Sequence, residues 1–374
     1  RSKSMIQPIV IALTTLLTAC GGGGSSSPSK DDPPLNLPDS RTFPGASWQT
    51  HAAADLGIAE SGITAALDYA FAEGRNTQGV VIVKNGVIVG ERYAQGASQD
   101  TMATSWSTGK SVASTLIGIA VDAGDIASID DPAEAYLPTW VGTDRDAVTV
   151  RAILEMRSGL GLASDDPTDF AIYVNGGDQL AYALDRVPAT TPRTDNWVYQ
   201  NTDSMLLGGI IENATGQNVL DYADGKLFSK IGMTATWWTD VAGHALTYCC
   251  IDATTRDFAR FGLLIARGGK WGSAQVVSSA WVDEATMAVV PVEVDESYGL
   301  QWWVNPELDY FYSAGMDQND IYIFPQHDLL IVRNSLYTRT GDSTIRTASN
   351  WIRTVGPILW SDADFVNYVT DAIN

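Results

Sequence analysis

The chain is short of cysteine, histidine and positive charge, and each shortage excludes something. Three cysteines in 374 residues cannot supply a disulfide framework on which a fold would depend. One of them, Cys20, falls in a leader-like segment, which leaves Cys249 and Cys250 as a vicinal pair. Two reduced, buried thiols is the favoured reading of that pair. A vicinal disulfide is the alternative, and it matters only in an oxidising compartment. The histidines, His51, His244 and His327, are scattered, and none has the spacing of a zinc ligand set. No metal is expected, and nothing implies a cofactor. Lys and Arg number 23 against 44 Asp and Glu, a net charge of −21. Such a surface repels phosphate backbones, which argues against nucleic acid as a partner. The apolar stretch from Ile6 to Leu17 falls short of the ~20 residues that span a bilayer.

What is present begins with that stretch. Arg1 and Lys3, the apolar run and Leu17-Thr18-Ala19-Cys20 have the layout of a secretory signal. The ending resembles a bacterial lipobox, so residues 1–20 are expected to be a lipoprotein signal, with Cys20 lipidated and the protein held on the periplasmic or outer face of a membrane. Residues 21–45, rich in Gly, Ser and Pro, read as a flexible tether. Residues 46–374 are long enough for a large core. No protein partner is implied.

Within that domain the spacing predicts a helix over about 60–72. A hairpin is expected around Asn85-Gly86, whose residue types suit the φ > 0 turn. A helix from Ser107 to Ala123, apolar or small on nearly every face, belongs in the interior. Further helices are expected over 150–156, 203–215 and 255–266. Strands return over 298–304, 311–314, 321–324 and 329–332, and a last helix is expected over 344–355. This order predicts an α+β fold. Residues 46–124 and 295–374 would form an α/β lobe with an antiparallel sheet, and residues 125–294 an inserted all-α lobe.

The chemistry is concentrated in two short motifs. Ser107-Thr108-Gly109-Lys110 is an S-x-x-K, and on a helix i and i+3 share a face, so Lys110 reaches the Ser107 hydroxyl. At a helix N-terminus free N–H groups favour developing negative charge. Ser27 to Lys30 repeats the spacing, but in the tether, where no fold surrounds it. Tyr199-Gln200-Asn201 is a Y-x-N ahead of a helical stretch. Tyr173-Val174-Asn175 has the same spacing and is read as packing.

Taken in order, these motifs resemble the serine β-lactamase and penicillin-binding-protein family, including class C β-lactamases, DD-peptidases, esterases and 6-aminohexanoate-dimer hydrolases. The resemblance covers roughly 75–360. It also rests on Asp130-Asp131-Pro132, Ser158-Gly159-Leu160, Ala253 to Gly262 and Tyr298-Gly299-Leu300-Gln301-Trp302-Trp303. It implies an acyl-enzyme on Ser107, with Lys110 or Tyr199 as base, a choice the sequence leaves open. Asn201 would touch substrate or cap the following helix, with substrate contact favoured. Trp106 and Trp197 would line the pocket or simply be core.

The family's third motif, K-T-G or H-T-G, is replaced by Ser313-Ala314-Gly315-Met316. Gly315 would let the backbone approach substrate, and the Met316 N–H would be the oxyanion donor beside that of Ser107. The missing cation favours esters or amides without a carboxylate over penicillins and stem peptides. A β-lactamase or D-alanyl-D-alanine carboxypeptidase is the alternative. Another class of reading is a cell-wall-peptide binder on an inactive scaffold. A Ser-His-Asp arrangement through His244 or His327, with Asp328 nearby, is the weaker enzymatic option.

Overall fold

The computed structural model describes residues 42–161, 169–174, 177–189 and 197–373. Cys20 and the signal, most of the tether and Asn175 lie outside the described residues.

The frame is an antiparallel sheet assembled from both ends of the domain. Its strands are β1 (Thr77–Lys84), β2 (Val87–Tyr93), β3 (Val290–Pro291), β4 (Ser297–Tyr298), β5 (Trp303–Asn305), β6 (Tyr310–Ser313), β7 (Asp320–Phe324), β8 (Leu329–Thr340) and β9 (Trp351–Val355). In space they run β2-β1-β8-β7-β6-β5-β4-β3, with β9 paired to the far half of β8. The β1–β2 turn is the expected one, with Asn85 at φ 52° and Gly86 at φ 80°. β1 meets β8 in a register of Val81 opposite Val332.

Alternation along β1 sends its side chains to two cores. Val81 and Val83 join Val112, Leu116, Ala259 and Phe261, whereas Val80 and Ile82 join Ile63, Ala66 and Phe365. The principal helices are α1 (Glu60–Ala70), α2 (Thr108–Ala123), α3 (Asn201–Thr215), α4 (Thr255–Ala266) and α5 (Asp362–Thr370). α1 and α5 cover one sheet face and α4 the other. α2 is buried along nearly its whole length and packs on α3. A small sheet of Met102–Thr104, Ile251–Thr254 and Ala235–Trp237 leads into α2.

Four expectations need correcting. Residues 344–355 hold no helix: Trp351–Val355 is strand β9, because β8 runs on past the main sheet and offers its backbone for pairing. The segment 298–304 is two short strands joined by a turn, with Gln301 at φ 65°. Helix α4 lies inside 125–294 yet packs on the main sheet, and that segment also supplies two strands of the small sheet, so it is neither all-α nor a separate layer. Cys249 and Cys250 are joined in a disulfide rather than reduced. Sequence reading also missed α5, although Ser361 caps it by accepting from the Asp364 N–H.

Candidate active site

Ser107 stands immediately ahead of α2, and the residue before it, Trp106, is held at φ 43°. Left-handed backbone at a large aromatic residue is costly. Here it swings the chain out of the small sheet so that Ser107 opens onto a cleft of about 580 Å³. Trp106 is pinned by its indole, which donates to Thr354 Oγ1 at 2.8 Å. The cleft is lined by Ser107, Phe170, Tyr199, Asn201, Trp303, Ala314, Gly315 and Met316. Trp106 and Trp197 are therefore framework. Trp197 packs its ring against Tyr199, Tyr298 and Trp303.

Lys110, one turn into α2, is almost fully buried, at 1% exposure. Its Nζ lies 3.0 Å from Ser107 Oγ, 2.7 Å from Asn201 Oδ1 and 2.8 Å from the Tyr248 carbonyl. Burial lowers its pKa to about 7, against the opposing pull of Asp169. The Tyr199 phenol is pushed well up by burial, and a hydrogen bond with the Ser107 side chain offsets only part of this. Lys110 also lies 4.8 Å from the centre of the Tyr199 ring. Asn201 does not cap α3; the cap residue is Gln200, without a side-chain bond. Its Oδ1 holds Lys110, and its Nδ2 donates to the Asp169 carbonyl at 3.1 Å.

The strand side completes the cleft. Neither the Ser107 nor the Met316 backbone N–H has a protein acceptor among the described residues, and both residues line the cleft. Together they can serve an oxyanion. Gly315 lines the cleft, and packing behind it gives a second reason for a glycine. A Cβ there would come within 2.3 Å of the Ser105 carbonyl oxygen, so the glycine lets β6 close against the approach to α2. Its N–H donates to Asp320 Oδ1 at 2.9 Å. Ser313 is fully buried, and its Oγ accepts from Thr108 Oγ1. No Lys, Arg or His is among the described lining residues.

Tyr173 is set apart from this chemistry. Its hydroxyl accepts from the Ile352 N–H at 3.0 Å and its ring packs on Trp106. His327 lies in the turn before β8, where its carbonyl accepts from Lys84, and Asp328 is paired with Arg267. His244 faces Glu212. None of these groups meets Ser107, which removes the Ser-His-Asp option. Two contributors escaped sequence reading. Asp169, buried and at φ 54°, takes the Thr202 N–H at 2.6 Å and fixes the start of α3. The Tyr248 carbonyl is a backbone group that no residue pattern announces.

Comparison with known proteins bears on the family and the fold. The family described as Beta-lactamase matches residues 65–349. The 6-aminohexanoate-dimer hydrolase of Paenarthrobacter ureafaciens is 26% identical over 291 residues, covering 69% of this chain and 72% of that protein. A D-stereospecific amidohydrolase from Streptomyces sp. shares the fold with TM-score 0.59 at 19% identity, over 73% of this chain and 93% of that one. A penicillin-binding protein from Bacillus halodurans does so with TM-score 0.59 at 17% identity, over 72% and 94%.

Proposed function

This chain belongs to the beta-lactamase family and is a hydrolase, and we propose that it cleaves small esters or amides without a carboxylate through an acyl-enzyme on Ser107. The observation that carries the proposal is the set of three oxygens around Lys110 Nζ. Two of them, a carbonyl and an amide oxygen, can only accept. A neutral amine has two hydrogens and one lone pair, so with both hydrogens committed the lone pair faces Ser107 Oγ. Lys110 is then the base, and Tyr199, whose phenol burial keeps neutral, is a proton donor.

In this mechanism the Ser107 proton passes to Lys110 Nζ as Oγ bonds to the substrate carbonyl carbon. The oxyanion takes the Ser107 and Met316 N–H groups, each worth about 3 kcal/mol in comparable sites. Collapse breaks the bond to the alcohol or amine, which leaves with a proton from the Lys110–Tyr199 pair. Water then attacks the acyl carbon as Lys110 takes its proton, the bond to Ser107 Oγ breaks to release the acid, and Lys110 returns the proton to Oγ.

The substrate class follows from the lining. Phe170, Trp303 and Met316 offer apolar contact, and no Lys, Arg or His is among the described lining residues to meet a carboxylate. A charge-assisted hydrogen bond of that kind is worth about 1.5–3 kcal/mol, or roughly one to two powers of ten. Expected kcat/KM is therefore higher for p-nitrophenyl butyrate than for nitrocefin or a D-Ala-D-Ala peptide by about that factor. Faster nitrocefin turnover would favour the antibiotic-hydrolase reading, and no turnover or labelling at all would favour the cell-wall binder.

The two tyrosines separate on removal of a hydroxyl. Tyr199→Phe is expected to slow acylation by about a hundredfold or more. Tyr173→Phe, which frees the Ile352 N–H, should lower the melting temperature and leave kcat close to wild type. Equal kinetic losses in a stopped-flow burst experiment would show that the wrong tyrosine has been chosen.

Membrane location through Cys20 is part of the same proposal, supported by the leader pattern. With more than one acyl chain the anchor should be firm. The full chain expressed in a bacterial host should partition into the detergent phase, and Cys20→Ser should not. Wild-type protein found in the aqueous phase would count against lipidation.

A further inference from the structure

Nothing in the proposed mechanism uses the side chains of Cys249 and Cys250, yet their loop touches the catalytic turn at three points. The carbonyl of Tyr248 accepts from Lys110 Nζ at 2.8 Å. The Cys250 N–H donates to the Trp106 carbonyl at 3.2 Å, and Trp106 is the left-handed residue that presents Ser107. The Cys249 backbone lies so close to Gly109 that a Cβ there would come within 2.9 Å of both the Cys249 carbonyl carbon and its oxygen. Gly109 is thus the one residue type in the S-x-x-K turn that admits the loop.

The outer side of the loop is fixed as well. The Trp237 indole donates to the Cys249 carbonyl at 2.8 Å, and the Trp238 N–H to the Cys250 carbonyl at 2.9 Å. Cys250 sits at φ 73°, a conformation that L residues disfavour. A disulfide between sequence neighbours closes an eight-membered ring, and ring closure removes the extended conformations to which the chain would otherwise relax. Both cysteines are buried against the core.

We propose that the Cys249–Cys250 disulfide is a positioning element for proton transfer: by holding the Tyr248 carbonyl on Lys110, it makes the disulfide form of the chain the competent one. The inference rests on the reading of Lys110 as the base for Ser107. Opening the disulfide needs a reductant such as a small dithiol. Two electrons and two protons pass to the pair, the S–S bond breaks, two thiols form, and the dithiol closes to its own disulfide. The loop then loses its ring constraint and Tyr248 its fixed carbonyl. Lys110 is faced by Asn201 Oδ1, the rings of Tyr199 and Tyr248, and the charge of Asp169. Burial is the largest cause of its depressed pKa. Water admitted by a loosened loop raises that pKa, so more of the base is protonated at neutral pH.

The test compares wild type, C249A/C250S and C249A/C250G, the last supplying a residue that accepts φ 73° without a ring. Each is followed by fluorophosphonate labelling, by the pH profile of kcat/KM on a p-nitrophenyl ester, and by melting. Wild type should label at Ser107. C249A/C250S should lose roughly ten- to a hundredfold in kcat, the scale of a misplaced catalytic group, with the acidic limb moved to higher pH. C249A/C250G should recover part of both, and wild type refolded with dithiothreitol should behave like C249A/C250S until it is reoxidised. Wild-type kcat and an unmoved limb in a folded variant, or in refolded protein with two titratable thiols, would overturn the positioning role alone. Wild type that fails to label at Ser107 would instead overturn the acyl-enzyme reading, and this inference with it.

Discussion

Ser107→Ala is expected to abolish fluorophosphonate labelling and to lower ester turnover by about 10⁴ or more, because the covalent route disappears with the hydroxyl. The fold should be untouched. Ser107 sits ahead of α2 and contributes no side-chain cap to it, so the helix loses nothing when the hydroxyl is removed. Lys110 keeps Asn201 Oδ1 and the Tyr248 carbonyl as acceptors, and the Tyr199 phenol, which loses its Ser107 partner, lines the cleft. Mass spectrometry of the labelled protein and a melting curve decide the matter together. Normal turnover in a folded Ser107→Ala protein would remove the nucleophile from the proposal, and an adduct on a different serine would relocate it.

Lys110→Met keeps the length of the side chain and removes its nitrogen, and kcat is expected to fall by about a thousandfold or more, the upper part of what acid–base catalysis supplies. The wild-type pH profile gives the sign of the effect. Burial places the Lys110 pKa at about 7; below that value the amine is charged and cannot accept the Ser107 proton, and above it the amine is neutral. Hence kcat/KM should rise with pH through about 7 and then level, and the residual activity of Lys110→Met should show no such step. A wild-type profile flat from pH 5 to pH 9 would exclude neutral Lys110 as the base. So would a Lys110→Met protein that kept the step, because the titrating group would then lie elsewhere.

Much of this site was legible because it is local in sequence. The i, i+3 relation of Ser107 and Lys110 needs only a helix, and the Tyr199–Asn201 pair needs only the start of another. The Asn85-Gly86 turn could likewise be read from two residues. What could not be read is contributed across distance by backbone or by loops. The Tyr248 carbonyl reaches Lys110 from 138 positions away, and Asp169 works by bonding Thr202 and Asn201 from a loop. The packing reason for Gly315 was also out of reach, because the atom it avoids belongs to Ser105 and is brought there by the closing sheet. Residues 344–355 misled for a related reason. Trp351 to Val355 alternates exposed and buried positions, but the strand that stabilises it is the extension of β8, which local periodicity does not reveal.

The pairing of β1 with β8 also sets the order in which the molecule can be made. Val81 and its partner Val332 are separated by 251 residues of synthesis (332 − 81), roughly 10–50 s at ordinary rates of chain elongation. Throughout that interval the β1–β2 hairpin has an open edge and no sheet to join. A nascent chain ending before Leu329 exposes the apolar side of β1, so the nucleophile helix is complete long before the scaffold that should support it. Such a chain stays unfolded late and demands protection from aggregation until β8 has been made.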